Sequence, residues 1–143
     1  MFDPGSIAAI LSISASNAAS GLGLARSVEQ GLPLAVLDKL AMILAPNDAQ
    51  AIGYRFVPKA TLERRRQRKE PLTSQESDKV VRVAKVLAFA RDVFKDEDKV
   101  RDFLTRSHMM LDNRAPFDVA LSTGAGADAV MTVLGRAAFG GAV

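Results

Sequence analysis

The sequence predicts an all-α protein built from two successive helical parts, and three observations carry that expectation. Apolar residues recur at steps of three and four through most of the 143 residues, the spacing of one buried helix face. Capping residues, glycines and prolines stand at the ends of those periodic stretches, where helices start and stop. No stretch shows the two-residue alternation of a convincing strand, and no internal repeat is visible. A chain that is 48% apolar and 24% charged also has the balance of a folded soluble domain, which argues against wholesale disorder.

Taken in order, Met1 to Ser20 is rich in Ser, Ala, Ile and Asn, with apolar Ile7, Ile10, Leu11 and Ile13. It superficially resembles a signal peptide, yet its only charge is Asp3, and the positive n-region is missing. The apolar run is also far short of the roughly 20 residues that cross a bilayer. The expectation is an N-terminal arm, partly helical or packed on a partner, on a cytoplasmic protein with no membrane association. Gly21 and Gly23 mark its end.

A helical region follows from about Leu24 to Leu44, interrupted near Gly31-Leu32-Pro33. Its buried stripe is read as Leu34, Leu37, Leu40 or Ala41, and Leu44. Asn47 and Asp48, after Pro46, are N-cap residues that open a short helix through Arg55. Val57 and Pro58 break it, because a residue before proline avoids the α region. Lys59 to Lys69 contains no Gly or Pro and reads as a second short helix, ended by Pro71.

Thr73-Ser74-Gln75-Glu76 then forms a capping box, with Thr73 as N-cap and Glu76 three positions on. The helix it opens runs to about Phe94, with Val80, Val83 or Ala84, Leu87, Ala90 and Phe94 on one face. Val81, Val86, Phe89 and Val93 widen that face, which places the helix at the centre of a core or a subunit interface. Asp96-Glu97-Asp98 starts another helix, its acids at the positive end and Val100, Phe103 and Leu104 inward. Asn113 to Asp118 reads as a Pro-containing loop. A last helix runs from near Gly126 to Ala138 on a stripe of Ala127, Val130, Leu134 and Ala137 or Ala138.

Composition speaks against catalysis. Without Cys there is no disulfide, no thiol nucleophile and no thiolate zinc site. A single histidine, His108, cannot make a His-rich metal cluster, and no nucleophile elbow marks a serine partner for it. His108 is most simply a structural residue near a helix end, and Asp92, Asp96, Glu97 and Asp98 sit where N-terminal helix acids belong. Thr123-Gly124-Ala125-Gly126-Ala127-Asp128-Ala129 contains GxGxxA after an arguably strand-like Phe117 to Ser122. A dinucleotide fold needs a second strand with an acid about 20 residues on, which the sequence does not offer. Gly124 and Gly126 are therefore read as shaping a turn, and no cofactor or metal is expected.

The net charge of +3 is small, but it is concentrated. Arg55, Lys59, Arg64, Arg65, Arg66, Arg68 and Lys69 face only Glu63 and Glu70 in their stretch, and the rest of the chain is slightly negative. Such density favours a polyanion as partner, above all a phosphate backbone. Helix, tight connector and short basic helix form the outline of a helix-turn-helix, whose second helix enters the major groove. Leu62 points roughly opposite Arg64 and Arg68 at about 100° per residue, so it anchors the helix while arginines project. Lys59, Thr61, Arg64, Arg65, Arg66 and Arg68 are the candidate DNA contacts. The connector lacks the common glycine.

The order of motifs resembles a known family. Gly31-Leu32-Pro33, Thr61-Leu62-Glu63-Arg64-Arg65 and Leu72-Thr73-Ser74-Gln75-Glu76-Ser77-Asp78 are similar to the Xre-type antitoxins of RES–Xre toxin–antitoxin modules, grouped with MbcA and ParS. The match continues through Asn113-Arg114-Ala115-Pro116-Phe117-Asp118, Thr123 with Gly126, Val130, and Leu134-Gly135-Arg136 with Gly140, over roughly residues 28 to 143. Phe103-Leu104 stands where the family often has Trp-Leu, and Asp112-Asn113 where it often has two glycines.

The resemblance implies a non-enzymatic protein with three parts: a variable arm (1–27), an Xre-like helix-turn-helix and dimerisation domain (28–95), and a small helical toxin-binding domain (96–143). It implies a homodimer within a larger complex, operator DNA, and a RES-domain toxin that breaks down NAD. The C-terminal end would obstruct the toxin's active site, and the antitoxin would repress its own operon. The candidate toxin-binding residues are Arg114, Pro116, Thr123, Gly126, Leu134, Arg136, Phe139 and Gly140. Arg136 is suited to acidic or phosphate-binding features of the toxin and Phe139 to an apolar slot. The alternative is a stand-alone dimeric helix-turn-helix regulator with no toxin; an enzyme using the Gly-rich turn ranks third.

Overall fold

The computed structural model describes residues 4–11 and 21–139. These residues fall into two compact units, one from Pro4 to Val81 and one from Arg82 onward. In the first lie α1 (Pro4–Leu11), α2 (Gly21–Gln30), α3 (Leu34–Leu44), α4 (Ala49–Phe56) and α5 (Lys59–Arg68). The long α6 (Ser74–Phe94) begins in the first unit and continues into the second. The second adds α7 (Glu97–Thr105), a single 3₁₀ turn (Met109–Leu111), α8 (Pro116–Ser122) and α9 (Gly124–Ala138). The described residues form no strand, only an isolated bridge between His108 and Arg114.

In the first unit α1 buries Ile7, Ile10 and Leu11, and Lys39 on α3 donates to the Ala9 carbonyl. The described part of the arm is thus helical and docked on its own chain; Ile13 lies outside the described residues. Helix α3 buries Val36, Leu37, Leu40, Ala41 and Leu44, so Val36 takes the inward place read for Leu34, which is half-buried.

The Gly31-Leu32-Pro33 connector has a specific task. Gly31 has φ +87°, a left-handed backbone that glycine adopts without a Cβ penalty, and a Cβ there would overlap the Leu72 carbonyl oxygen. That approach lets the Leu72 N–H donate to the Leu32 carbonyl at 2.9 Å. The Leu32 N–H in turn donates to the hydroxyl of fully buried Ser77 at 2.8 Å. The entrance to α3 is thereby stitched to the start of α6. The capping box is present: the Thr73 N–H donates to Glu76 Oε1 at 2.8 Å and the Glu76 N–H to Thr73 Oγ1 at 3.1 Å.

In the second unit α7 buries Val100, Phe103 and Leu104, and its N-cap Asp96 accepts from the Lys99 N–H at 3.1 Å. The C-terminal third differs from the sequence expectation at two places. Phe117 to Ser122 is helical, not strand-like, and the stretch read as a loop to Asp118 gives way to α8 at Pro116. Proline at the first helical position costs no hydrogen bond and presets φ, so here it starts a helix. The last helix starts at Gly124, two residues earlier than expected, because Thr123 caps it by accepting from the Gly126 N–H at 2.8 Å.

Candidate functional site

The first candidate surface is built on α4 and α5. Between them Val57 is extended (φ −138°, ψ 128°) and fully buried, and Pro58 occupies the N-cap of α5. The turn needs no glycine because no residue in it takes a positive φ. Leu62 is buried and its side chain lies against Gly53 of α4, 3.7 Å from where a Cβ would stand. The basic helix stops at Arg68, short of Pro71. Lys69 turns left-handed (φ 56°), and the N–H groups of Lys69 and Glu70 return to the Arg66 and Arg65 carbonyls at 3.3 and 3.0 Å.

The six candidate DNA contacts are not equivalent. Arg64 and Arg68 are exposed and pair with no carboxylate among the described residues. Thr61 is half-buried on the same side of α5. Lys59 is exposed with its ammonium 5.9 Å from the centre of the Tyr54 ring. Arg65 donates to Glu76 Oε1, the oxygen that also serves the capping box, and both side chains are largely buried. Arg66 makes a two-bond fork to Asp38 of α3, 2.8 Å to Oδ2 and 2.5 Å to Oδ1.

The electrostatics follow. Burial by itself raises the Glu76 pKa, but the Thr73 N–H, the Arg65 guanidinium and the Thr73 hydroxyl outweigh it, so the carboxyl titrates below its ordinary value. The hydrogen bonds to Asp38 hold Arg66 protonated even more firmly than usual, against a smaller effect of burial. From the sequence Glu76 is expected only to close the capping box and Asp38 is not singled out, so neither ion pair to the basic helix is foreseen.

The second candidate surface lies at the α8–α9 hairpin and the turn before it. His108 anchors that turn through its backbone: its N–H donates to the Arg114 carbonyl at 3.1 Å, and its carbonyl accepts from Leu111 and Asn113. Its ring lies 4.9 Å from that of Phe103, tilted by 52°, and Nε2 is buried with no hydrogen-bond partner among the described residues. Asp112 and Asn113 both have left-handed φ, 55° and 60°, the conformation two glycines would supply.

Among the candidate toxin-binding residues, Pro116 and Leu134 are buried, Leu134 completely. Thr123 is the exposed cap of α9, and Gly126 lies against the Val119 carbonyl of α8. Arg114 is exposed and donates to Ser122 Oγ at 3.1 Å. Arg136 is exposed, and Phe139, just beyond the helix, is 92% exposed. Gly140 lies outside the described residues. The geometry therefore separates residues that shape the hairpin from three that project from it.

Both units match known domains. Residues 23–85 match the antitoxin Xre-like helix-turn-helix domain, and residues 89–140 match the antitoxin Xre/MbcA/ParS C-terminal toxin-binding domain. The chain belongs to the Xre/MbcA/ParS antitoxin family. It is also similar to the antitoxin Xre of Yersinia enterocolitica, with 28% identity over 120 residues, covering 83% of this chain and 80% of that protein. The antitoxin is accordingly a non-enzymatic regulator whose two domains answer to two classes of partner, DNA and a toxin. Among the described residues no helix is long and apolar enough to cross a membrane.

Proposed function

We propose that this antitoxin neutralises a RES-domain, NAD-degrading toxin by lodging its C-terminal region at the toxin's active site, and that a homodimer represses its own operon through α5. The observation that carries the first half is the end of α9. Leu134 is fully buried and fixes the helix, while Arg136, two residues on, and Phe139, just past the helix end, are exposed. A phenyl ring exposed at the end of an anchored helix offers a large apolar surface that a partner's pocket can bury, the kind of aromatic anchor found at interface cores. Arg136 beside it supplies a cation suited to a site that handles a phosphate-bearing dinucleotide. The C-terminal domain obstructs the cleft, and the toxin alone supplies the chemistry.

Coexpression tests this. Cells carrying the cognate RES-domain toxin and the full antitoxin should keep their NAD and yield a copurifying complex. An antitoxin ended after Leu134 should fold, bind DNA and leave NAD to be consumed. Full protection by that truncated chain would refute active-site obstruction by the C-terminal end.

A further inference from the structure

Two of the four arginines on the basic helix are already paired with carboxylates of other helices. We propose that its arginines divide into two pairs: Arg64 and Arg68 contact DNA, whereas Arg65 and Arg66 are positioning residues that lock α5 onto the domain through Glu76 and Asp38. The proposal rests on the reading of α5 as the DNA-facing helix and assigns roles within it.

Helical geometry separates the two pairs. At about 100° per residue, Arg65 and Arg66 fall within about 60° of the inward Leu62, one on each side of it. Arg64 and Arg68 fall about 160° and 120° from Leu62, facing away from the domain. The two inner arginines thus emerge beside the anchor, and each meets a carboxylate held on another helix. Glu76 is on α6 and Asp38 on α3, so the two pairs brace α5 from opposite flanks.

The two pairs also differ in what it would cost to redirect them. The Arg65 and Glu76 side chains are only 13% and 14% exposed, so the pair is shielded from water and salt. To reach a phosphate, Arg65 would have to leave a largely buried carboxylate behind it without its cation, which is strongly unfavourable. The Arg66–Asp38 pair is about half exposed, but its two parallel bonds fix the guanidinium plane. That fork spends the same donors a guanine edge or a phosphate would use. Arg64 and Arg68 hold no such engagement among the described residues.

The salt dependence of DNA binding separates the roles, because each phosphate neutralised contributes about 0.9 to the slope of log K against log salt. The probe is a labelled duplex carrying the region upstream of the antitoxin's own gene, titrated with the full chain from low to moderate salt. Arg64→Ala and Arg68→Ala should each flatten the slope by about 0.9 for every α5 on the duplex, about 1.8 for the proposed homodimer, and leave the melting temperature unchanged. Arg66→Met and Arg65→Gln should keep the wild-type slope while lowering the melting temperature by about 3–6 °C. The exchanged pair Asp38→Arg with Arg66→Asp should recover most of that loss and still bind with the wild-type slope.

A slope flattened by Arg66→Met, or by the exchanged pair, as much as by Arg64→Ala would overturn the division of roles. Tight binding with no slope change in Arg64→Ala or Arg68→Ala would overturn it too, and would move DNA contact off α5. Absence of any DNA binding by the unaltered chain would overturn the underlying reading itself.

Discussion

Gly126 of α9 sits against the carbonyl oxygen of Val119 in α8 so closely that a Cβ at Gly126 would overlap that oxygen. The backbone of one helix touches the backbone of the next, and only a residue without a side chain permits it. Gly126→Ala should therefore destabilise the protein by about 1–3 kcal/mol, the range for a forced methyl. Gly124, two residues earlier on the same helix, has open space around it. Gly124→Ala should instead be neutral or gain up to about 1 kcal/mol, since alanine is the better helix former. Thermal melts of the two variants check this, and an equal effect at both positions would remove the close approach from the account.

A second prediction concerns pH. Glu76 accepts from the Thr73 N–H and from Arg65, and its folded pKa lies below its ordinary value. A depressed carboxyl pKa contributes stability that is complete above the unfolded value, about 4.3, and is lost as pH falls through the folded value. At neutral pH, Glu76→Gln should thus melt lower than the natural chain. The gap should shrink below about pH 4, where the natural chain loses the charge that distinguished it. A gap that stays constant from pH 7 to pH 3 would show that the ionised carboxylate contributes nothing.

The order of elements was legible because caps and periodicity are local signals. Thr73 and Glu76 stand three residues apart and do in the structure what such spacing implies. Leu62 is buried as its position opposite Arg64 and Arg68 implies. The failures are also instructive. Pro116 and the apolar residues after it were ambiguous, because seven residues are too few to distinguish helix from strand by period. The partners of Arg65 and Arg66 were hidden for a different reason. Glu76 and Asp38 lie 11 and 28 positions away, and ion pairs between helices have no sequence spacing to betray them. A charge run shows how many cations there are, not how many are already engaged.

The turn before α8 gives a third prediction. Asp112 and Asn113 take left-handed φ in succession, which Asn and Asp tolerate better than other side-chain-bearing residues do. Asn113→Gly should leave stability unchanged or raise it slightly, because glycine removes the remaining strain. Asn113→Val should cost about 1–3 kcal/mol, since a β-branched residue is poorly suited to that region. Urea unfolding midpoints in the order Gly, Asn, Val from most to least stable are expected. Equal midpoints for Asn and Val would contradict the turn geometry.

The last prediction joins stability to the proposed toxin contact. Leu134 and Phe139 are five residues apart, one fully buried and the other 92% exposed. Leu134→Ala should lower stability by about 2–5 kcal/mol through a cavity in the core. It should weaken toxin binding only as far as the fold is lost. Phe139→Ala removes almost no internal contact, so its melting temperature should match that of the natural chain. If the ring fills an apolar slot of the toxin, the same change should weaken the complex by about 2 kcal/mol or more, roughly thirtyfold in Kd. Calorimetric titration against a catalytically inactive RES-domain toxin measures both variants. A Phe139→Ala antitoxin that binds with undiminished affinity would place the contact elsewhere on the domain, with the exposed Arg114 and Arg136 the next positions to change.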